Sequence, residues 1–241
     1  RHSFPTRRSS DLDDEAAAAI DTVQPTLFAV EVALARLWQA WGVAPDVVVG
    51  HSMGEVAAAH VAGALTLADA VAVICRRSRL LRQISGRGEM ALVELPIDAA
   101  RAALAGREDR LAVAVSNSPR ATVLAGEPAA LAEVLAELER RGVFCRRVKV
   151  DVASHSPQVE PLRPALLAAL AGLRPQAARV AMRSTVTGAM IEGPALDADY
   201  WFANLREPVR FAAAIAALVG EGDAVFVEMG PHPVLTPAIQ D

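Results

Sequence analysis

The stretch Val47-Val48-Val49-Gly50-His51-Ser52-Met53-Gly54-Glu55 constrains this chain more than any other. Three β-branched residues read as a strand, Gly-His-Ser-Met-Gly as a sharp turn, and the Ala-rich run that follows as a helix. That order is a G-x-S-x-G nucleophile elbow. Such a turn lifts the Ser52 hydroxyl clear of the sheet. It also aims the Met53 backbone N–H, at the helix N-terminus, toward any oxyanion forming beside the serine. Gly50 and Gly54 are expected where a side chain would collide with the neighbouring strand or helix. The plainer alternative for Ser52 is a serine that caps the helix.

The 241 residues suffice for one sizeable core, or one core with a small satellite. With 53% apolar and 22% charged residues the chain is globular. A net charge of −4 argues against a nucleic-acid footprint. A mean hydropathy of +0.28 raises the question of a membrane span. The best candidate, 56–74, carries His60, Thr66 and Asp69, and a mid-span Asp costs about 3 kcal/mol on insertion scales. It reads instead as a buried helix pair in a soluble, non-membrane protein. Two cysteines, Cys75 and Cys145, make no disulfide framework and fit a reduced cytoplasmic setting. The N-terminus has no apolar signal region. Residues 1–12 have no apolar period and resemble the translation of a sequencing adapter. They are read as non-native and set aside, which makes the native chain truncated before about Asp13.

A helical run at 15–20 is followed by a second helix opened by Gln24-Pro25, with Pro25 in its first turn. Leu27, Val30, Leu34, Leu37 and Trp38 form its expected buried stripe. Helices are expected at 55–62, broken by Gly63, and from an N-cap at Thr66 to about Ile84. From 89 to 150 the pattern becomes strand, helix, strand, strand, helix, strand, with strands at 90–95, 111–117, 121–125 and 144–148 and helices at 97–104 and 128–141. This βαββαβ order is that of a ferredoxin-like unit. A helix at 159–170, a strand at 180–186, helices at 200–205 and 209–219 and a strand at 224–228 complete the main body. The expected fold class is α/β: an α/β-hydrolase-like core with a parallel sheet, divided as 13–86 and 151–241, and a small ferredoxin-like subdomain inserted at 87–150.

A serine nucleophile needs a base. Of the five histidines, His2 lies in the set-aside segment, and His60 sits mid-helix as a structural residue. His51 adjoins the nucleophile at a turn where successive side chains diverge, so it lines the pocket. His155 and His232 both stand in turns beside proline, and the residues alone divide them evenly.

Gly50-His51-Ser52-Met53-Gly54-Glu55, Val152-Ala153-Ser154-His155 and Glu228-Met229-Gly230-Pro231-His232-Pro233 together resemble the acyltransferase domains of modular type I polyketide synthases. So do Gln24-Pro25, Arg76-Arg77-Ser78-Arg79-Leu80, Tyr200-Trp201, Asn204-Leu205 and Pro208-Val209-Arg210-Phe211. The resemblance extends to malonyl-CoA:acyl-carrier-protein transacylases, runs from about Val23 to Ile239, and is strongest with synthases of the mycocerosic acid type. It implies that Ser52 carries the acyl group and that His155 is general base and then acid. The main-chain carbonyl of Asn204 is implied to orient the His155 ring. Arg77 is implied to clamp the free carboxylate of the extender unit, with Arg76 and Arg79 a solvated face and Gln24 near the pocket. His232 is then structural. The implied partners are an acyl-CoA thioester, the phosphopantetheine arm of an acyl carrier protein and a neighbouring ketosynthase, with no metal and no cofactor in the domain itself.

The family's Gly-Gln-Gly-Ser-Gln loop, which supplies a second oxyanion N–H, does not occur here. Losing one such donor costs about 10²–10³ in rate, so the fragment is expected to be crippled. In the family, Tyr-Ala-Ser-His accompanies methylmalonyl and His-Ala-Phe-His malonyl units. Ser154 is the small residue of the first pattern and Val152 fits neither, which favours methylmalonyl. A serine esterase or patatin-like hydrolase shares the elbow without needing Arg77. A non-catalytic docking fragment of a synthase needs neither.

Overall fold

The computed structural model describes residues 19–241. The expected helix at 15–20 and the segment 1–12 fall outside these residues, apart from the last two positions of the former. Helix α1 (Ile20–Ala40) leads to β1 (Val47–Val49), α2 (Gly54–Ala62) and α3 (Leu67–Arg82). Gly63, in the left-handed conformation at φ 82°, ends α2. Thr66 caps α3 by accepting from the Asp69 amide. The stop and the start were both legible from residue type, because only glycine adopts that φ freely and a short hydroxyl reaches an orphan amide.

Helix α1 begins five residues before Pro25, which lies in its second turn rather than its first. The ion pair of Asp21 with Arg82 at 2.9 Å and the packing of Ile20 on the large core hold the extra turn in place. The buried face runs through Phe28, Val32 and Ala35. The expected stripe is thus rotated by about one residue, and Leu37 is exposed.

A small sheet follows, formed by β2 (Glu89–Val93), β3 (Leu111–Ser118), β4 (Ala121–Gly126) and β5 (Cys145–Arg147), with α4 (Ile97–Ala103) and α5 (Pro128–Arg140). All pairings are antiparallel, in the order β3-β4-β2-β5. Its strands β3 and β4 read as largely apolar runs because both faces are buried, whereas β5 at the edge is Cys145-Arg146-Arg147 with both arginines exposed. Ala91, Val93, Leu111 and Leu124 face α4 and α5. Met90, Leu92, Val123 and Ala125 face the rest of the molecule, packing with Ala153, Val209 and Phe211. Ala114 lies on this second face by alternation, and an irregularity in β3 between Val113 and Val115 brings Val115 onto it as well.

The second sheet has the order β1-β6-β7, with β6 (Ala181–Arg183) and β7 (Met190–Ile191). β1 and β6 are parallel, but β6 and β7 are antiparallel. Among the described residues the expected parallel sheet is therefore mixed. β6 is shorter than expected because the Ser184 hydroxyl accepts from the amides of Val186 and Thr187 and bends the chain into a turn. The expected helix at 159–170 divides into a 3-10 turn, Pro157–Leu162, and α6 (Arg163–Leu170). Pro161 supplies no N–H to an α-helical ladder there. Helices α7 (Ala198–Arg206), α8 (Phe211–Gly220) and α9 (Thr236–Gln240) complete the chain. The expected strand at 224–228 has no regular structure and no strand paired to it among the described residues, and Val225 is exposed. No described helix is long and apolar enough to cross a membrane.

Candidate active site

Between β1 and α2 the chain turns so tightly that a Cβ on Gly50 would overlap the backbone of Gly54 and Glu55. Glycine there is a steric requirement. Gly54 is not: a Cβ would meet nothing closer than Glu31 Oε1 at 4.0 Å, so the expected collision at that position is absent. The turn sets Ser52 at φ 53°. His155 has φ 61°, and these are the two non-glycine residues with positive φ among those described. Each such backbone costs of order 1–3 kcal/mol and persists where the surroundings hold it, commonly at functional sites.

The two strained residues meet. Ser52 Oγ lies 2.7 Å from His155 Nε2, across 103 positions of sequence. His155 Nδ1 lies 2.8 Å from the Glu207 carbonyl oxygen, which can only accept. Nδ1 therefore carries the proton, and Nε2 accepts from the serine hydroxyl. Ser52 does not cap α2, which has no side-chain cap. The Met53 amide, at the mouth of that helix, has no acceptor among the described residues, as an oxyanion donor requires. His232 is exposed in its turn.

The carbonyl that orients the imidazole belongs to Glu207, not to Asn204. Pro208 disfavours helical geometry at the residue before it, so Glu207 leaves α7 with ψ 156° and its carbonyl turns away from the helix axis. The next residues are fastened to the small sheet: Ser116 N–H donates to Val209 O at 2.9 Å, and Val209 N–H to Ala114 O at 2.8 Å. Strand β3 also reaches the elbow, where Asn117 Oδ1 lies 2.8 Å from His51 Nε2. His51 stands edge-on to Phe211 with ring centroids 5.3 Å apart, and burial lowers its pKa. The small sheet thus supports both partners of the Ser52–His155 pair.

Asn204 enters through its side chain. Oδ1 accepts from Arg77 Nη1 at 2.8 Å, and Nδ2 donates to the Ser52 carbonyl at 3.1 Å and to Glu55 Oε2 at 2.9 Å. Arg77 is 2% exposed, and its Nε–H has no partner. Burial lowers its pKa to about 10, opposed by Glu55, so it remains a cation at neutral pH. Arg76 and Arg79, on either side, are exposed as expected. Ser154 is buried beside the base, whereas Val152 is part of the large core. Gln24 makes no hydrogen bond with Ser52, His155 or Arg77, and its Oε1 is buried without a partner. Among the described residues no group of three His, Cys, Asp or Glu side chains could hold a metal ion.

The sequence reading missed Glu207, Asn117 and the buried cluster of Glu55, Thr185 and Tyr200. Glu55 and Tyr200 stand in the quoted motifs, but their roles rest on contacts across 130 or more positions.

Burial, then the Arg77 charge, pushes His155 from its ordinary 6.5 down to about 3. The base therefore stays neutral at ordinary pH. The unfolded imidazole protonates near 6.5 and the folded one near 3, so between them the unfolded chain binds more protons. Stability then falls as pH drops through that window. We expect labelling of Ser52 by a fluorophosphonate, followed from about pH 8 down to about pH 5, to show no break near the free-imidazole value. A half-loss near that value would mean that the imidazole is solvated.

The acyl transferase domain family model matches residues 11–241. The chain is 53% identical over 221 residues to the spectinabilin polyketide synthase system protein NorA' of Streptomyces orinoci, covering 91% of this chain and 6% of that protein. It is 50% identical over 222 residues to the erythronolide synthase EryA2 of Saccharopolyspora erythraea, covering 92% of this chain and 6% of that one. It therefore spans a small fraction of the length of either. The crystal structure of the acyltransferase domain from module 8 of the salinomycin polyketide synthase superposes with a TM-score of 0.92 at 48% identity, covering 93% of this chain and 53% of that one.

Proposed function

The chain belongs to the acyl transferase domain family, with relatives in polyketide synthases, and on that premise we propose that it moves a malonyl-type unit from coenzyme A to an acyl carrier protein through an ester on Ser52. His155 Nε2 takes the hydroxyl proton as Ser52 Oγ attacks the thioester carbonyl. The Met53 N–H stabilises the oxyanion. Collapse breaks the carbon–sulfur bond, and the proton on His155 passes to the departing coenzyme A thiol. The phosphopantetheine thiol of the carrier then repeats the steps in reverse order, losing its proton to His155 and taking the acyl group. Arg77 receives the free carboxylate, and no metal or cofactor takes part.

The observation that carries this reading is the buried Arg77 guanidinium. It is hydrogen-bonded into the Ser52 elbow through Asn204 and keeps an N–H without an acceptor. A buried cation with a spare donor suits a carboxylate in two-pronged geometry. A lipase or esterase pocket has no use for it. The small Ser154 favours methylmalonyl over malonyl. Ferredoxin-like character for 87–150 is supported by its four-stranded antiparallel order, and the described residues of the larger lobe are then 19–86 and 151–241. A neighbouring ketosynthase and a cytoplasmic setting fit the same reading. With Met53 as the one oxyanion donor identified among the described residues, we infer acylation by these residues slowed by about 10²–10³.

The test is to incubate the chain with equal malonyl-CoA and methylmalonyl-CoA and to weigh the peptide bearing Ser52. We expect both esters, with methylmalonyl in excess by a factor within the roughly 10–200-fold that one methyl group can supply. A malonyl excess refutes the extender assignment, and no ester on Ser52 refutes the transfer.

A further inference from the structure

The transfer chemistry leaves Glu55 unused, although it is fully buried beside the nucleophile. Four donors converge on its carboxylate. The Thr185 amide at 2.5 Å and the Thr185 hydroxyl at 2.9 Å reach Oε1, while the Tyr200 hydroxyl at 2.6 Å and Asn204 Nδ2 at 2.9 Å reach Oε2. A carboxylate can only accept, and together with the Ser52 carbonyl, which accepts from the same Nδ2 at 3.1 Å, it obliges the Asn204 amide to turn its NH₂ inward. The amide oxygen is left facing Arg77, where it accepts from Nη1. An amide is symmetric in shape but not in charge. Turned the other way, it would present N–H to N–H at Arg77 and leave the guanidinium unheld.

We infer that Glu55 is a positioning residue for selectivity: by fixing which end of Asn204 meets Arg77, it sets the preference of the site for carboxylated over neutral acyl groups. This rests on the reading in which Arg77 receives the substrate carboxylate. A glutamine at position 55 has the same shape but offers both a donor and an acceptor, so only the longer bond to the Ser52 carbonyl at 3.1 Å is left to hold the Asn204 orientation. Tyr200→Phe is the contrasting change. It removes a hydrogen bond from the same carboxylate and leaves the Asn204 constraint intact.

The experiment measures kcat/KM for acylation of Ser52 by malonyl-CoA and by propionyl-CoA, with thermal unfolding of each variant as a folding check. Glu55→Gln is expected to lower the malonyl-to-propionyl ratio at least about tenfold, the scale of one charge-assisted hydrogen bond, mainly through a higher KM for malonyl-CoA. Tyr200→Phe should leave the ratio within about twofold, well under the effect of one such bond. In an Arg77→Ala background, Glu55→Gln should leave the ratio unchanged. Equal losses for the two thioesters, or the same fall in ratio with and without Arg77, would overturn the inference. If Glu55→Gln does not fold, Asn204→Ala cuts the same link, and an unaltered ratio there is equally fatal. Acylation of the unsubstituted chain by malonyl-CoA tests the transferase reading by itself, so a failed ratio in an active chain counts against Glu55 alone.

Discussion

His155→Ala is expected to slow acylation of Ser52 by roughly 10²–10⁴-fold, the contribution of a positioned general base. The serine hydroxyl has the imidazole nitrogen at 2.7 Å, and no other basic side chain bonds to it among the described residues. The neighbouring His51 cannot substitute, because its Nε2 is engaged with Asn117 on strand β3. The readout is single-turnover mass increase on the Ser52 peptide with an acyl-CoA. The loss should appear in kcat, since the imidazole acts on the reacting atoms. His155→Ala also removes a buried ring, so unfolding midpoints accompany the rates. A folded variant that acylates at the original rate removes His155 from the mechanism.

Arg77→Ala should weaken reaction with malonyl-type thioesters by about 2–4 kcal/mol, the scale of a lost buried charge pair. Propionyl-CoA, which has no free carboxylate, should be affected far less. The asymmetry separates a substrate contact from a structural role, because a distorted site would slow both thioesters. Arg77→Lys keeps the charge but not the fork, and is expected to recover only part of the loss. Acylation by malonyl-CoA at the wild-type rate in the alanine variant would show that the carboxylate is bound elsewhere.

Local geometry was legible wherever a residue type admits a single conformation. Gly63 stops α2, Thr66 caps α3, and the Val47–Val49 strand runs into a turn that only glycine at position 50 allows. The inner strands of the small sheet were legible because their apolar runs lie between turn residues and are covered on both faces. Facing and pairing were not. The α1 stripe is rotated because Phe28, Val32 and Ala35 are the residues that meet the core, and the run at 224–228 has no strand beside it among those described. The Asn204 carbonyl was the wrong acceptor for His155, because Pro208 turns the Glu207 carbonyl out of the helix.

Residue order was enough to say which side chains could do chemistry at the turn, a serine on an elbow and a short set of histidines, whereas Arg77 was singled out by the family resemblance. The serine and the histidines follow from side-chain chemistry and from steric limits on a few neighbouring residues, both local. How the groups are poised was settled by folding in three dimensions. Folding brought together an imidazole 103 positions from its serine, turned one carbonyl to fix the tautomer, and placed Glu55 so that the Asn204 amide faces Arg77 with its oxygen. Poise of this kind depends on distances of 2.7–3.1 Å between segments far apart in sequence, and burial is what makes those few contacts count.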